Sequence, residues 1–139
     1  MKRTPGQRSL GRLYVTGTLA VLILSSCRTD RTPRELVAHV GSDKLVTEAT
    51  WALAKFVSEY KAAPGELPSR FWGKSIRELD PVRVYNHRFN LVVVLESSAT
   101  EERGVYISAI QSSYAPRDGD DKFSFEPIDG GVYSFVRVK

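Results

Sequence analysis

Cysteine is almost absent: Cys27 is the only one in 139 residues. No intrachain disulfide can form, so the core alone must hold whatever folds here. Histidine is nearly as scarce, with His39 and His87 the only two. A catalytic thiol needs a paired histidine, and nothing in the spacing places either ring beside Cys27. There is no G-x-S-x-G elbow and no glycine-rich phosphate loop, so serine-hydrolase and phosphate-loop chemistry have no visible motif. Internal repeats are absent. The longest strongly apolar stretch, Leu13 to Leu24, would span roughly 18 Å as a helix at ~1.5 Å per residue. That is short of the ~20 apolar residues that cross a bilayer core of about 30 Å.

Acidic residues are missing before Cys27, where Lys2, Arg3, Arg8 and Arg12 are the only charges. A basic segment followed by an uncharged apolar run has the layout of an export signal. "Leu24-Ser25-Ser26-Cys27" then resembles the lipobox of bacterial lipoproteins: an aliphatic residue, two small residues and a cysteine. The resemblance covers the first 27 residues and implies a diacylglycerol thioether on Cys27, with cleavage between Ser26 and Cys27. Thiolate is the nucleophile such chemistry needs. Ordinary secretory cleavage lacks an A-x-A-like site here, and an uncleaved signal anchor is the other alternative. In diderm bacteria, aspartate after the lipidated cysteine marks inner-membrane retention. Arg28 stands there instead, so the resemblance implies the outer membrane, facing the periplasm, if the organism has one.

Without residues 1–26 the charge changes character. The whole chain carries 20 basic and 16 acidic residues, and loss of the four basic ones leaves 16 of each sign. A nucleic-acid partner is therefore not expected, because its first requirement is a basic footprint. The expected partners are the membrane, through the lipid anchor, and a protein of the cell envelope. Residues 27–34 read as a polar lipidated tether interrupted by Pro33. Residues 35–139 read as one domain.

Periodicity within that domain changes once. From Asp43 to Ala62, apolar residues fall at steps of three and four (Leu45, Ala49, Leu53, Phe56, Tyr60), as on one face of an amphipathic helix. Ser42 or Asp43 can cap it, and Pro64-Gly65 ends it. "ELVAHVGS" before it reads as a short helical turn closed by Gly41. Ser75 and Glu78 have capping-box spacing, ahead of a one-turn helix that Pro81 limits. The segment from Phe71 to Leu79 reads as a plug at one end of the core. From Val82 the period is two: "VRVYNH", "FNLVVVLES", "GVYISAIQS", "KFSFE" and "GVYSFVRV" read as five strands, with Asp129–Gly131 as a hairpin turn. The expected fold is α+β, one main N-terminal amphipathic helix packed on an antiparallel sheet of about four to five strands.

Alternation puts Val92, Val94, Tyr106 and Ile110 on the side of the sheet away from that helix, with Tyr133 and Phe135 joining them. Such a face is either a second packing layer or a docking surface, and Tyr106, Ile110 and Tyr133 are the candidate docking residues. "RDGDDK", Arg117 to Lys122, groups three carboxylates of the kind hard cations use. The EF-hand ligand series is missing, so a solvated turn is expected and no metal or cofactor is assigned. Glu101-Glu102 is likewise assigned to a solvated hairpin loop. Two function classes follow: a lipid-anchored, non-enzymatic binding module such as an envelope inhibitor or assembly factor, or an envelope enzyme using dispersed carboxylates. The enzyme would need a pocket with at least two convergent titratable groups.

Overall fold

A computed structural model describes residues 31–61 and 65–139. Cys27, the lipobox and the signal segment lie outside the described residues. Thr32–Lys139 forms one compact α+β unit built on a five-stranded antiparallel sheet in the order β1-β2-β3-β5-β4. The strands are β1 Arg83–His87, β2 Asn90–Ser97, β3 Glu101–Ile107, β4 Phe123–Asp129 and β5 Val132–Val138. The helices are α1 Pro33–Val40, α2 Ser42–Tyr60 and α3 Lys74–Glu78.

Helix α1 starts two residues before the boundary expected at residue 35. Thr32 caps it: its hydroxyl accepts from the Glu35 amide, and Glu35 accepts in return from the Thr32 amide. This reciprocal capping box satisfies two otherwise orphaned donors, and Pro33 suits the first helical position. Gly41, at φ 102°, separates α1 from α2. The expected Ser75–Glu78 box does not form. Ser75 is buried inside α3, whose N-cap is Gly73 without any side-chain cap. Glu48 of α2 supplies the capping oxygens instead, accepting from the amides of Ser75 at 2.9 Å and Ile76 at 3.1 Å. A Cβ on Gly73 would strike the Glu48 carboxylate, so the glycine admits this contact.

Period-two alternation divides the sheet. Val84, Leu91, Val93, Val105, Ile107 and Val132 share a core with Val37 and Val40 of α1, Leu45, Ala49, Leu53 and Phe56 of α2, and Ile76 of α3. The opposite face carries a second, aromatic core of Val92, Val94, Tyr106, Phe123 and Phe135, flanked by Tyr85, Tyr114, Phe125 and Tyr133. Two apolar faces on one sheet each need cover. Strand β4 and the loop before it provide it on the aromatic side: Tyr106 meets Phe123 edge-on at 5.8 Å and Phe125 at 4.8 Å. Edge-to-face contacts of this kind add roughly 0.5–1.5 kcal/mol each beyond area burial.

Two local devices set the register. Between Val94 and Glu96, β2 carries a bulge opposite Gly104 of β3. A Cβ on Gly104 would collide with the Val93 carbonyl, so only glycine lets the strands close there. Gly130 and Gly131, at φ 50° and 85°, make the β4–β5 turn with both central residues left-handed, the geometry that matches strand twist. Both sheet edges are closed. Along β1, the Leu67 amide donates to the Val84 carbonyl and the Asn86 amide to the Gly65 carbonyl. On β4, Pro127 removes a donor, and Arg34 donates to the Pro127 carbonyl.

The third strand is shorter than its apolar pattern. Residues 108–112 leave the sheet after Ile107, where the Ala109 amide donates to the Asn90 side chain and the Ile110 amide to the Thr50 hydroxyl. Phe89, expected in β2, instead sits in the β1–β2 turn at φ 63°.

Candidate functional site

At the end of the aromatic face where β1 begins and β5 ends, alternation brings polar side chains together. Arg83 is two residues before Tyr85, Glu102 is two before Gly104, and Arg137 is two after Phe135. The β2 bulge shifts register so that Ser97 faces Glu102. Arg83, Ser97, Glu102, Arg137 and Lys139 line an open cavity of about 430 Å³.

Glu102 is only 2 % exposed. One carboxylate oxygen pairs with Arg83, whereas Oε2 is buried with no hydrogen-bond partner among the described residues. An unmatched buried oxygen on a charged group is costly. The Arg137 guanidinium donates to the Tyr85 hydroxyl at 3.1 Å and lies over the rings of Tyr85 at 5.7 Å and Phe123 at 5.2 Å. Burial raises the Tyr85 phenol above its ordinary range, with the Arg137 charge opposing. The Lys139 ammonium donates to the Ser97 hydroxyl at 2.9 Å and the Ser98 carbonyl at 2.5 Å. Neither Arg137 nor Lys139 pairs with a side-chain carboxylate among the described residues. Among the described residues the pocket therefore offers two cations without a side-chain carboxylate in ion-pair contact and one carboxylate oxygen without a donor.

A second polar cluster forms where β1 turns into β2. His87, its side chain 13 % exposed, contacts the Asp121 carboxylate through Nε2 at 2.7 Å and the Tyr106 hydroxyl through Nδ1 at 2.9 Å. In the neutral ring, Nε2–H donates to Asp121 and the Tyr106 hydroxyl donates to Nδ1. In the protonated ring both nitrogens donate, and the Tyr106 hydroxyl turns to the His87 carbonyl at 3.4 Å. Asn90 donates to the Tyr106 oxygen at 3.2 Å. Burial raises the Tyr106 phenol strongly. The His87 hydrogen bond holds the Asp121 carboxyl below the usual carboxylate range, with Arg88 adding to the effect. The Tyr106 hydroxyl that His87 contacts belongs to a fully buried side chain, so this pair is not open to a substrate. The arrangement ties the loop before β4 to β1, at the expense of left-handed backbone at Arg88, Phe89, Asp121 and Lys122.

These positions correct several expectations. The three carboxylates of Arg117–Lys122 do sit in a turn whose residues, Asp120 apart, are exposed, but each is also tied down by a hydrogen bond. Asp118 accepts from the Phe125 amide at 2.7 Å, Asp120 from the Tyr114 hydroxyl at 3.0 Å, and Asp121 is bonded to His87. Glu101 and Glu102 lie in β3 rather than in a loop. The proposed docking residues do not share an exposed face: Tyr106 is fully buried, Tyr133 is half-buried on the aromatic core, and Ile110 is 78 % exposed in the segment after β3. Loop and strand residues 114–125 cover Tyr106, and for that residue the second-packing-layer reading holds. His39 is exposed at the end of α1. No group of histidine, cysteine and carboxylate side chains among the described residues could hold a metal ion. None of the helices there is long and apolar enough to cross a membrane.

Sequence reasoning missed the Arg83–Glu102–Arg137–Lys139 pocket. Its signal was present in the alternation of β3, which puts Glu102 in phase with Gly104 and Tyr106, on the inward side. The chain matches no protein-family model, no curated protein and no solved structure.

Proposed function

We propose that this is a lipid-anchored protein of the cell envelope whose domain is a non-enzymatic binding module. The lipobox-like Leu24-Ser25-Ser26-Cys27, at the end of a basic and then apolar N-terminus, carries the reading. Cys27 is the lipid attachment site, and Arg28 after it favours the outer membrane in a diderm cell. A diacylglycerol thioether brings two chains at once, and two are what stable anchoring takes. A charge-balanced domain needs no basic patch to stay on the bilayer. From Cys27 to Thr32 the tether can extend at most about 18 Å at ~3.5 Å per residue, so the domain works close to the membrane.

Two features of the domain favour binding over catalysis. The hydroxyl that His87 could activate, on Tyr106, belongs to a fully buried side chain. The polar pocket holds a single carboxylate, whereas acid–base chemistry on carboxylates calls for a pair with separated roles. In this reading α2 is the main amphipathic helix that supports the sheet, and the buried stripe Leu45, Ala49, Leu53 and Phe56 favours it.

Mass spectrometry of the native N-terminus tests the anchor. The expected species begins at an acylated Cys27, and Cys27→Ser leaves an uncleaved, unacylated precursor. An unmodified Cys27, or a mature chain beginning elsewhere, overturns the reading. Affinity capture of the acylated protein from its native envelope then identifies the partner.

A further inference from the structure

We infer that the pocket formed by Arg83, Ser97, Glu102, Arg137 and Lys139 binds a small zwitterion, an anionic oxygen group beside an ammonium or N–H donor. The inference deepens the binding-module reading and rests on it. Arg137 and Lys139 are the anion-binding side: both reach the cavity, and neither has a side-chain carboxylate partner among the described residues. Arg137 is held in place by the Tyr85 hydroxyl and two aromatic faces, and Lys139 by Ser97 and Ser98. A cation fixed before its ligand arrives loses less side-chain freedom on binding.

Glu102 is the second half of the site. Its Oε2 is buried and lacks a donor, although its residue lines the cavity. A simple anion would leave that oxygen unmatched and add a like charge near it. A ligand whose own ammonium or N–H meets Oε2 satisfies the oxygen and separates the two negative groups. Contact requires the Arg83 head, 35 % exposed, to swing off its present position. The ligand's own cation then takes the place of the guanidinium at Glu102, so the buried carboxylate is not left unpaired when Arg83 moves. The cavity of about 430 Å³ admits a headgroup or single residue; it is not large enough for a folded chain.

This chemistry has two sources in an envelope: an α-amino acid or terminal peptide residue, with a carboxylate, and an ethanolamine phosphate headgroup, with a phosphate. The test uses the full-length acylated protein in neutral detergent micelles, read by ligand-observed saturation-transfer NMR and calorimetry. Four probes are titrated: glycine with acetate as its partner lacking the ammonium, and phosphoethanolamine with inorganic phosphate as its partner. The expected result is that at least one zwitterion binds ten-fold or more tightly than its matched anion. Preference for glycine assigns the amino-acid source, preference for phosphoethanolamine the headgroup source. Glu102→Gln should bring the zwitterion down to the level of its matched anion. Lys139→Gln, at an exposed position, should weaken both members of a pair together without changing the melting temperature. Equal binding of zwitterion and anion, insensitivity to Glu102→Gln, or no binding by any probe overturns the inference. The N-terminal mass of the same sample decides the anchor separately, so an acylated protein that ignores all four probes refutes the pocket and leaves the localisation intact.

Discussion

Removing the Arg83 head by Arg83→Met should destabilise the domain more than removing the Glu102 charge. Among the described residues Arg83 is the only side chain that pairs with Glu102, and Glu102 is 2 % exposed. Without it a carboxylate stays buried with neither oxygen matched. Breaking a buried ion pair from one side costs about 3–5 kcal/mol. Arg83 is 35 % exposed, so solvent screens part of the pair and about 2–3 kcal/mol is the better figure. For a unit of this size that corresponds to a melting temperature lower by roughly 10 °C. Glu102→Gln leaves an amide whose oxygen can still accept from Arg83, and should cost about 1 kcal/mol. The double variant, Arg83→Met with Glu102→Gln, should recover most of the loss, because no uncompensated charge remains. Urea unfolding followed by circular dichroism on all four proteins gives the coupling energy, expected at about 1.5 kcal/mol or more. Additive single effects, or an Arg83→Met variant within about 0.5 kcal/mol of the parent, would refute the buried-pair reasoning.

Three further outcomes follow from the fold. Leu53→Asp places a charge at a fully buried position between α2 and the sheet and should cost on the order of 3 kcal/mol or more, read as a lost or sharply lowered thermal transition. Gly104→Ala drives a methyl group into the Val93 backbone at the bulge and should cost about 1–3 kcal/mol, with the amides of Val94 and Leu95 exchanging faster with solvent. Asp121 titrates below its unfolded value near 3.9 because of the His87 hydrogen bond. Its contribution is therefore present above about pH 4 and lost as the pH falls through the lowered folded value. Asp121→Asn should flatten the acid limb of the stability profile below about pH 4. An unaltered acid limb would remove the role assigned to the pair.

The aromatic core explains why a chain with one cysteine outside the domain can dispense with disulfides. Both faces of its sheet are buried, one by helices and one by its own fourth strand and preceding loop. His87 joins the two ends of that cover: it touches Tyr106 and Tyr114 edge-on at 5.8 and 5.6 Å and lies 4.9 Å from Phe123. A polar tether at the centre of an apolar layer gives direction to packing that apolar contact alone leaves free.

Local features were legible in the order of residues. Period-two runs mark all five strands, because successive side chains in a strand must face opposite ways. Asp129-Gly130-Gly131 marks the hairpin, because glycine adopts positive φ without steric cost. The α+β class with an antiparallel sheet follows from those signals and the short connections. The resemblance of Leu24-Ser25-Ser26-Cys27 to a lipobox rests on sequence alone. Tertiary structure decided the rest. Alternation states that Tyr106 and Glu102 share a side of β3, but not that β4 and the 114–122 loop cover Tyr106 while Arg83 closes over Glu102. Ser75 and Glu78 have the spacing of a capping box, yet Glu48 arrives from α2, 27 residues earlier in the chain, and takes those donors. Burial and pairing across such distances depend on which elements meet, and a side chain's near neighbours in sequence carry no record of that.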